Sequence, residues 1–177
     1  AIPTILMAQM QSAFRYACMH QDPPSIFLQA NGMMLYDGQH DHPLHCFMGI
    51  IDPATGALRY SVSGEIGAYV IDARGVERAL APLKPTPALT LVPRHAYPLL
   101  TEQLEPGETI VVFTDGVTTA RNGRNEVFGR DRFINILCDG FGQPASATLK
   151  EMLTDLRSFT EGGSQPNDIT VVLAHRP

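Results

Sequence analysis

The sequence predicts an α+β fold built on antiparallel sheet, and three observations carry that prediction. Helical periodicity opens the chain and returns after the strands. Between these helical stretches, strand patterns are joined by tight Pro- and Gly-containing turns, and strands joined that way must run antiparallel. One near-continuous apolar run, Thr109-Ile110-Val111-Val112-Phe113, has the composition of a strand buried on both faces. The order is helices, hairpin-linked strands, helices and one last strand, which packs helices against antiparallel sheet.

The elements follow in order. Over 4–20, Leu6, Met10, Ala13 and Ala17 recur at helical spacing with Phe14 beside them, and Thr4 is the expected N-cap. A second helix is expected over 24–36, with Pro24 in its first turn and Ile26, Leu28, Met33 and Leu35 on its apolar face. Asp37 to Pro43 is polar and reads as a loop. The period then changes. Phe47 to Ile51 and Leu58 to Val62 are strands flanking the turn Asp52-Pro53-Ala54-Thr55-Gly56. Ala68 to Asp72 is a third strand, closed by a turn at Ala73-Arg74-Gly75. Pro82 to Pro87 reads as loop or edge. Glu105-Pro106-Gly107 is a turn before the Thr109–Phe113 strand. Arg130 to Cys138 and Ala145 to Phe159 are helices, Gly162 and Gly163 end the second of them, and Ile169 to Ala174 is the last strand.

Composition narrows the function. A chain of 177 residues suits a single domain, 1–177, and buries roughly 70% of its unfolded surface. With 44% apolar and 18% charged residues it is not a disordered tail. A net charge of −5 argues against sequence-independent nucleic-acid binding, which neutralises phosphates with Lys and Arg. Cys18, Cys46 and Cys138 are odd in number and far apart, which favours a reducing cytoplasm over a disulfide framework. No apolar run approaches the roughly 18 residues of a membrane span, and no signal peptide is visible. The abrupt start at Ala1-Ile2-Pro3, without Met, reads as a fragment or a trimmed chain.

Two acidic positions lie at the ends of expected strands. Asp115 follows Thr109–Thr114 and precedes Gly116; Asn167-Asp168 precedes Ile169-Thr170-Val171-Val172. A strand end delivers a carboxylate to a fixed place open to solvent, which suits hard cations such as Mg²⁺ or Mn²⁺. Such a cation makes a bound water easier to deprotonate for attack on a phosphoryl group. Both dipeptides are also common turns. His40, His42 and His45, with Asp41, form a second metal candidate, set against a plain polar loop. Cys18 and Cys138 read as buried thiols. The methionines of the first two helices read as core filling, with an adaptable partner surface as the other reading. Arg121 to Glu126 reads as a substrate-facing flap or as a solvated loop.

Several segments, in order, resemble the SpoIIE/RsbU branch of the PPM metal-dependent protein phosphatases. They are Pro3–Ala8, Pro24–Asn31 with its Ala30-Asn31 pair, and the hairpin Asp52–Tyr60. Leu104–Glu108 follows, leading into Phe113-Thr114-Asp115-Gly116-Val117-Thr118. Then come Ala120-Arg121-Asn122, Glu126-Val127-Phe128-Gly129 and Asn167-Asp168-Ile169-Thr170-Val171-Val172. The resemblance implies two stacked antiparallel sheets flanked by helices, with two Mn²⁺ or Mg²⁺ ions sharing a water that attacks phosphoserine or phosphothreonine. It implies that Asp115 is a metal ligand and catalytic, that Asn167 and Asp168 are metal ligands, and that Thr114 and Gly116 shape the site. It implies a bacterial signalling context, as in stress responses. The expected partners are a phosphorylated substrate of the anti-sigma-factor-antagonist type and an upstream sensor or receiver domain, with no nucleic acid and no membrane.

The sequence also departs from the family pattern. The opening metal motif, of Asp-x-x-Gly-His-Gly type, should end near Ala1, so the first strands and first metal motif are expected to lie outside this chain. The last motif, ordinarily Asp-Asp-Ile-Thr, begins with Asn167, and an amide oxygen brings no charge to a dication. Gly64-Glu65 stands where the family has Gly-His, and Ala88-Leu89 where it has Leu-Gly. These departures keep open the alternative of a degenerate phosphatase-like adaptor that binds a partner without chemistry.

Overall fold

A computed structural model describes residues 2–19, 22–36, 42–75, 77–161, 163 and 167–177, and among these described residues it places two antiparallel sheets and five helices. The chain forms two compact units, Ala1–Ile66 with Ala81–Gln103, and Gly67–Leu80 with Leu104–Pro177.

The first unit holds helices α1 (Ile2–Ala17) and α2 (Pro23–Tyr36) and strands β1 (Cys46–Ile51), β2 (Ala57–Ser63) and β5 (Leu100–Gln103), in sheet order β1-β2-β5. The turn between β1 and β2 closes as its chemistry dictates. The Asp52 carboxylate accepts from the amides of Ala54 and Thr55, and Gly56 takes φ 80°. Thr4 lies within α1 rather than capping it. α2 is capped instead by Asp22, whose carboxylate accepts from the Ser25 amide at 3.0 Å. The face α2 buries is Ile26, Phe27, Ala30, Asn31 and Met34, whereas Leu28 is exposed. The helix is apolar nearly all round, so composition alone did not select the side that packs. Ala13, Ala17, Ile26, Ala30 and Met34 form one cluster; Phe27, Leu89 and Tyr97 form another. Cys18 lies exposed just past α1, not buried as expected, because the helix ends at Ala17. Cys46 is the sheltered thiol of this unit, and burial pushes its pKa up to about 12.

The second unit holds β3 (Gly67–Ile71), β4 (Glu77–Ala79), β6 (Thr109–Phe113), α3 (Gly116–Thr119), α4 (Arg130–Asp139), α5 (Ala145–Thr160) and β7 (Val171–His175). Its sheet order is β4-β3-β6-β7, which makes β6 an inner strand, as its apolar run requires. Phe113, Phe133, Val111, Met152 and Leu156 belong to one core cluster joining the sheet to α4 and α5. Gly67 pairs opposite Phe113, whose ring occupies the space a β-carbon would need. A larger residue there would push that ring out of the core.

The start of β6 is pinned electrostatically. Arg78 donates to both oxygens of Glu108, at 2.6 and 2.9 Å, and the Glu105 amide donates to the same carboxylate at 2.8 Å. The hydrogen bonds from Arg78 hold the Glu108 carboxyl below its ordinary value of 4.5, against burial, which pushes it up. A lowered folded-state pKa stabilises fully above the unfolded value and is lost as pH falls through the folded one. Glu108→Gln should therefore cost about 2 kcal/mol at neutral pH. In urea unfolding, the gap between wild type and variant should close as pH drops below the ordinary glutamate range. A gap that does not change with pH would contradict this account.

Candidate functional site

The site grows from the exit of β6. Apolar residues carry the inner strand to Phe113, and the Thr114 amide then donates to the Thr170 carbonyl, extending the pairing with the β7 side past the last ladder residue. The Thr114 hydroxyl adds a second link: it donates to the Asp168 carbonyl at 3.1 Å and accepts from the Thr170 amide at 2.9 Å. One side chain thus laces together the two segments expected to carry the acidic positions.

Asp115 comes next, at the N-cap of α3 with φ −59° and ψ −22°, and its side chain makes no capping bond. Its carbonyl is fully used instead, accepting from the Thr119 amide and from the hydroxyls of Thr118 and Thr119. The carboxylate, exposed, accepts from the Asn167 amide nitrogen at 3.0 Å. A capping carboxylate would be committed to α3; among the described residues this one is committed sideways, to a residue 52 positions away. Gly116 explains how the approach is possible. A β-carbon there would overlap the Asp168 carbonyl oxygen and lie 3.0 Å from that of Asn167. The glycine is required by contact rather than by backbone conformation.

Asp115, Asn167, Thr114 and Gly116 therefore meet in one place, with the Asp168 backbone packed among them. All the donors offered are oxygens or can turn an oxygen to the site, the set that suits a hard cation. Among the described residues, no group of three or more His, Cys, Asp or Glu side chains is placed to hold a metal ion. Of the other candidate, His40 and Asp41 lie outside the described residues. His45 is engaged elsewhere: its Nδ1 accepts from the Glu65 amide at 2.8 Å. That bond leaves the ring proton on Nε2.

The Arg121–Glu126 stretch is an internally bonded turn rather than open loop. Arg121 and Val127 form a β-bridge, and Asn125 takes φ 64°. The Asn122 side chain accepts from the amides of Arg124 and Glu126 and donates to the Glu126 carboxylate at 2.6 Å. The Phe128 and Gly129 amides then donate to Ala120 and Thr118, tying the turn to α3. Spacing had not singled out the Thr118 and Thr119 hydroxyls that fix Asp115. Two threonines after Asp-Gly were their one visible signal.

No helix of the described residues is long and apolar enough to cross a membrane. Comparison with known proteins gives a consistent picture. The family model for SpoIIE, stage II sporulation protein E, matches residues 3–177. Protein IcfG of Synechocystis sp. is 30% identical over 131 residues, which is 73% of this chain and 20% of IcfG. The SiaA-PP2C domain of Pseudomonas aeruginosa superposes with a TM-score of 0.83 at 21% identity, covering 99% of this chain and 71% of that one. The RsbU and RsbW domains of a Mycobacterium tuberculosis protein give 0.76 at 18% identity, covering 98% and 48%. A magnesium complex of RsbX gives 0.66 at 17% identity, covering 95% and 71%. The chain spans about a fifth of the length of its curated relative.

Proposed function

Since this chain belongs to the SpoIIE family, we propose that it is the metal-dependent phosphatase domain of a bacterial signalling regulator. Its substrate is phosphoserine or phosphothreonine on a partner protein of the anti-sigma-factor-antagonist type. It works in the cytoplasm, under an upstream sensor or receiver domain. One observation carries the reading. The Asp115 carboxylate stands exposed at the end of an inner strand, relieved of capping, with Asn167 3.0 Å away.

Mn²⁺ or Mg²⁺ would be held by Asp115, by the Asn167 amide oxygen once that amide turns over, and by Asp168. When bound, the cation supplies Lewis acidity toward a phosphoryl oxygen and a more acidic water. The chain's own residues supply position. Thr114 holds the two strand ends together, Gly116 lets them close up, and Thr118 and Thr119 fix the Asp115 backbone. Hydrolysis of p-nitrophenyl phosphate should require added Mn²⁺ or Mg²⁺, stop with EDTA, and return when the cation is restored.

A second reading, a non-catalytic adaptor, is favoured by one specific observation. An amide stands at 167, and the described residues bring no third acidic, His or Cys ligand to the site. No hydrolysis at any concentration of either cation, with partner binding retained, would establish the adaptor and end the phosphatase reading.

A further inference from the structure

Two arginines in the first turn of α4 sit over aromatic rings, and they differ in one respect. Arg130 lies 4.6 Å from the Tyr69 ring centre and is ion-paired with Glu77. Arg132 lies 4.3 Å from the Phe159 ring centre and 5.5 Å from that of Phe128, and it forms no ion pair among the described residues. The two rings contact each other edge-to-face at 5.3 Å, and Phe128 is buried in the core. The guanidinium is therefore steadied on a rigid aromatic platform while its N–H groups remain open to an outside acceptor.

The stretch of sequence before it shares the sign. Residues 121–132 carry Arg121, Arg124, Arg130 and Arg132 against Glu126 and Asp131, a local excess of +2 in a chain of net −5. Among the described residues, the Arg121 side chain bonds to the uncharged Asn125, through that residue's carbonyl and side-chain oxygens. The turn carrying Arg121 and Arg124 is held rigid by Asn122 and tied to α3, the helix that Asp115 begins. We propose that Arg132, with Arg121 and Arg124, forms a docking surface for a carboxylate-rich segment of the partner protein, next to the phosphorylated residue. This rests on the phosphatase reading for the place of the phosphoryl group. The arginines read the flank, not the phosphate. A planar guanidinium matches a carboxylate with two parallel hydrogen bonds, which an ammonium cannot do.

The test uses two synthetic phosphoserine peptides that differ only in flanking Glu or Gln, with p-nitrophenyl phosphate as a third substrate. Arg132→Gln should lower kcat/KM for the Glu-flanked peptide about fivefold, through KM. It should leave the Gln-flanked peptide and p-nitrophenyl phosphate unchanged. Arg132→Lys should recover only part of the loss, and 0.5 M NaCl should erase the difference between the two peptides. Equal losses on all three substrates, or none on the Glu-flanked peptide, would overturn the proposal. If the wild-type protein hydrolyses none of them, the phosphatase reading fails separately. Fluorescence anisotropy of a labelled, unphosphorylated Glu-rich peptide then decides. Tighter binding by wild type than by Arg132→Gln supports the docking surface, and equal binding overturns it.

Discussion

Asp115→Asn is expected to lower Mn²⁺-dependent hydrolysis of p-nitrophenyl phosphate by roughly 100-fold or more. The midpoint of thermal unfolding should move by no more than about 1–2 °C. The two halves of this prediction have different origins. The stability half follows from what the Asp115 side chain does not do. It is exposed and makes no cap bond, and the hydrogen bonds that hold α3 use its carbonyl, which Asn retains. Asn is also as good an N-cap residue as Asp. Its side-chain partner among the described residues, the Asn167 amide, can still donate to the new amide oxygen. The activity half follows from charge. With an amide already at 167, Asp115 is one of the two carboxylates proposed to hold the cation, so removing its charge leaves a dication facing Asp168 and neutral donors. Raising Mn²⁺ should recover part of the lost activity, since affinity falls before geometry does. Unchanged activity would remove Asp115 from the site. A loss of stability as large as the loss of activity would mark it as structural.

That separation was half legible in the sequence. The strand leading to Asp115 was, because an inner strand needs an apolar run and Thr109–Phe113 has one, with the predicted and observed bounds the same. The partnership with Asn167 was legible only through family resemblance, since nothing local links positions 52 residues apart. β4 and β5 escaped notice for the opposite reason to β6. Each is an edge strand paired on one side only, and Glu77-Arg78-Ala79 and Leu100–Gln103 carry the charged and polar residues edges need. α3 has four residues, too few to show a period. The last strand begins at Val171 rather than Ile169 because Thr170 turns its amide to the Thr114 hydroxyl, so the ladder gives way to side-chain bonding at the site.

The largest stability effect is expected far along the chain from Asp115. Asn31→Leu should destabilise the protein by about 3 kcal/mol, read as a lower urea midpoint with unchanged slope. Asn31 is fully buried on the packed face of α2. Its Oδ1 accepts from the Thr90 amide at 2.7 Å and its Nδ2 donates to the Val92 carbonyl at 2.9 Å. The loop it holds contains two non-glycine residues in the left-handed region, Thr90 at φ 75° and Arg94 at φ 54°. Each such residue costs about 1 kcal/mol, so the loop keeps its shape only while something outside it pays the difference. Leu has the γ-branched shape and heavy-atom count of Asn, with bulkier methyl ends, and would gain about 1–2 kcal/mol of burial. It would leave the buried Thr90 N–H and the part-buried Val92 C=O without their Asn31 partners, at up to about 1–3 kcal/mol each, and the second effect wins. Asn31→Asp separates bonding from volume. It keeps the acceptor for Thr90 but sets a buried carboxylate against the Val92 carbonyl, which raises its folded-state pKa. Its deficit should therefore be largest at neutral pH and shrink as pH falls through that raised value, where the protonated oxygen can donate to Val92. An Asn31→Asp deficit that grows in acid, or an Asn31→Leu variant as stable as wild type, would mean that the Thr90–Val92 loop holds itself.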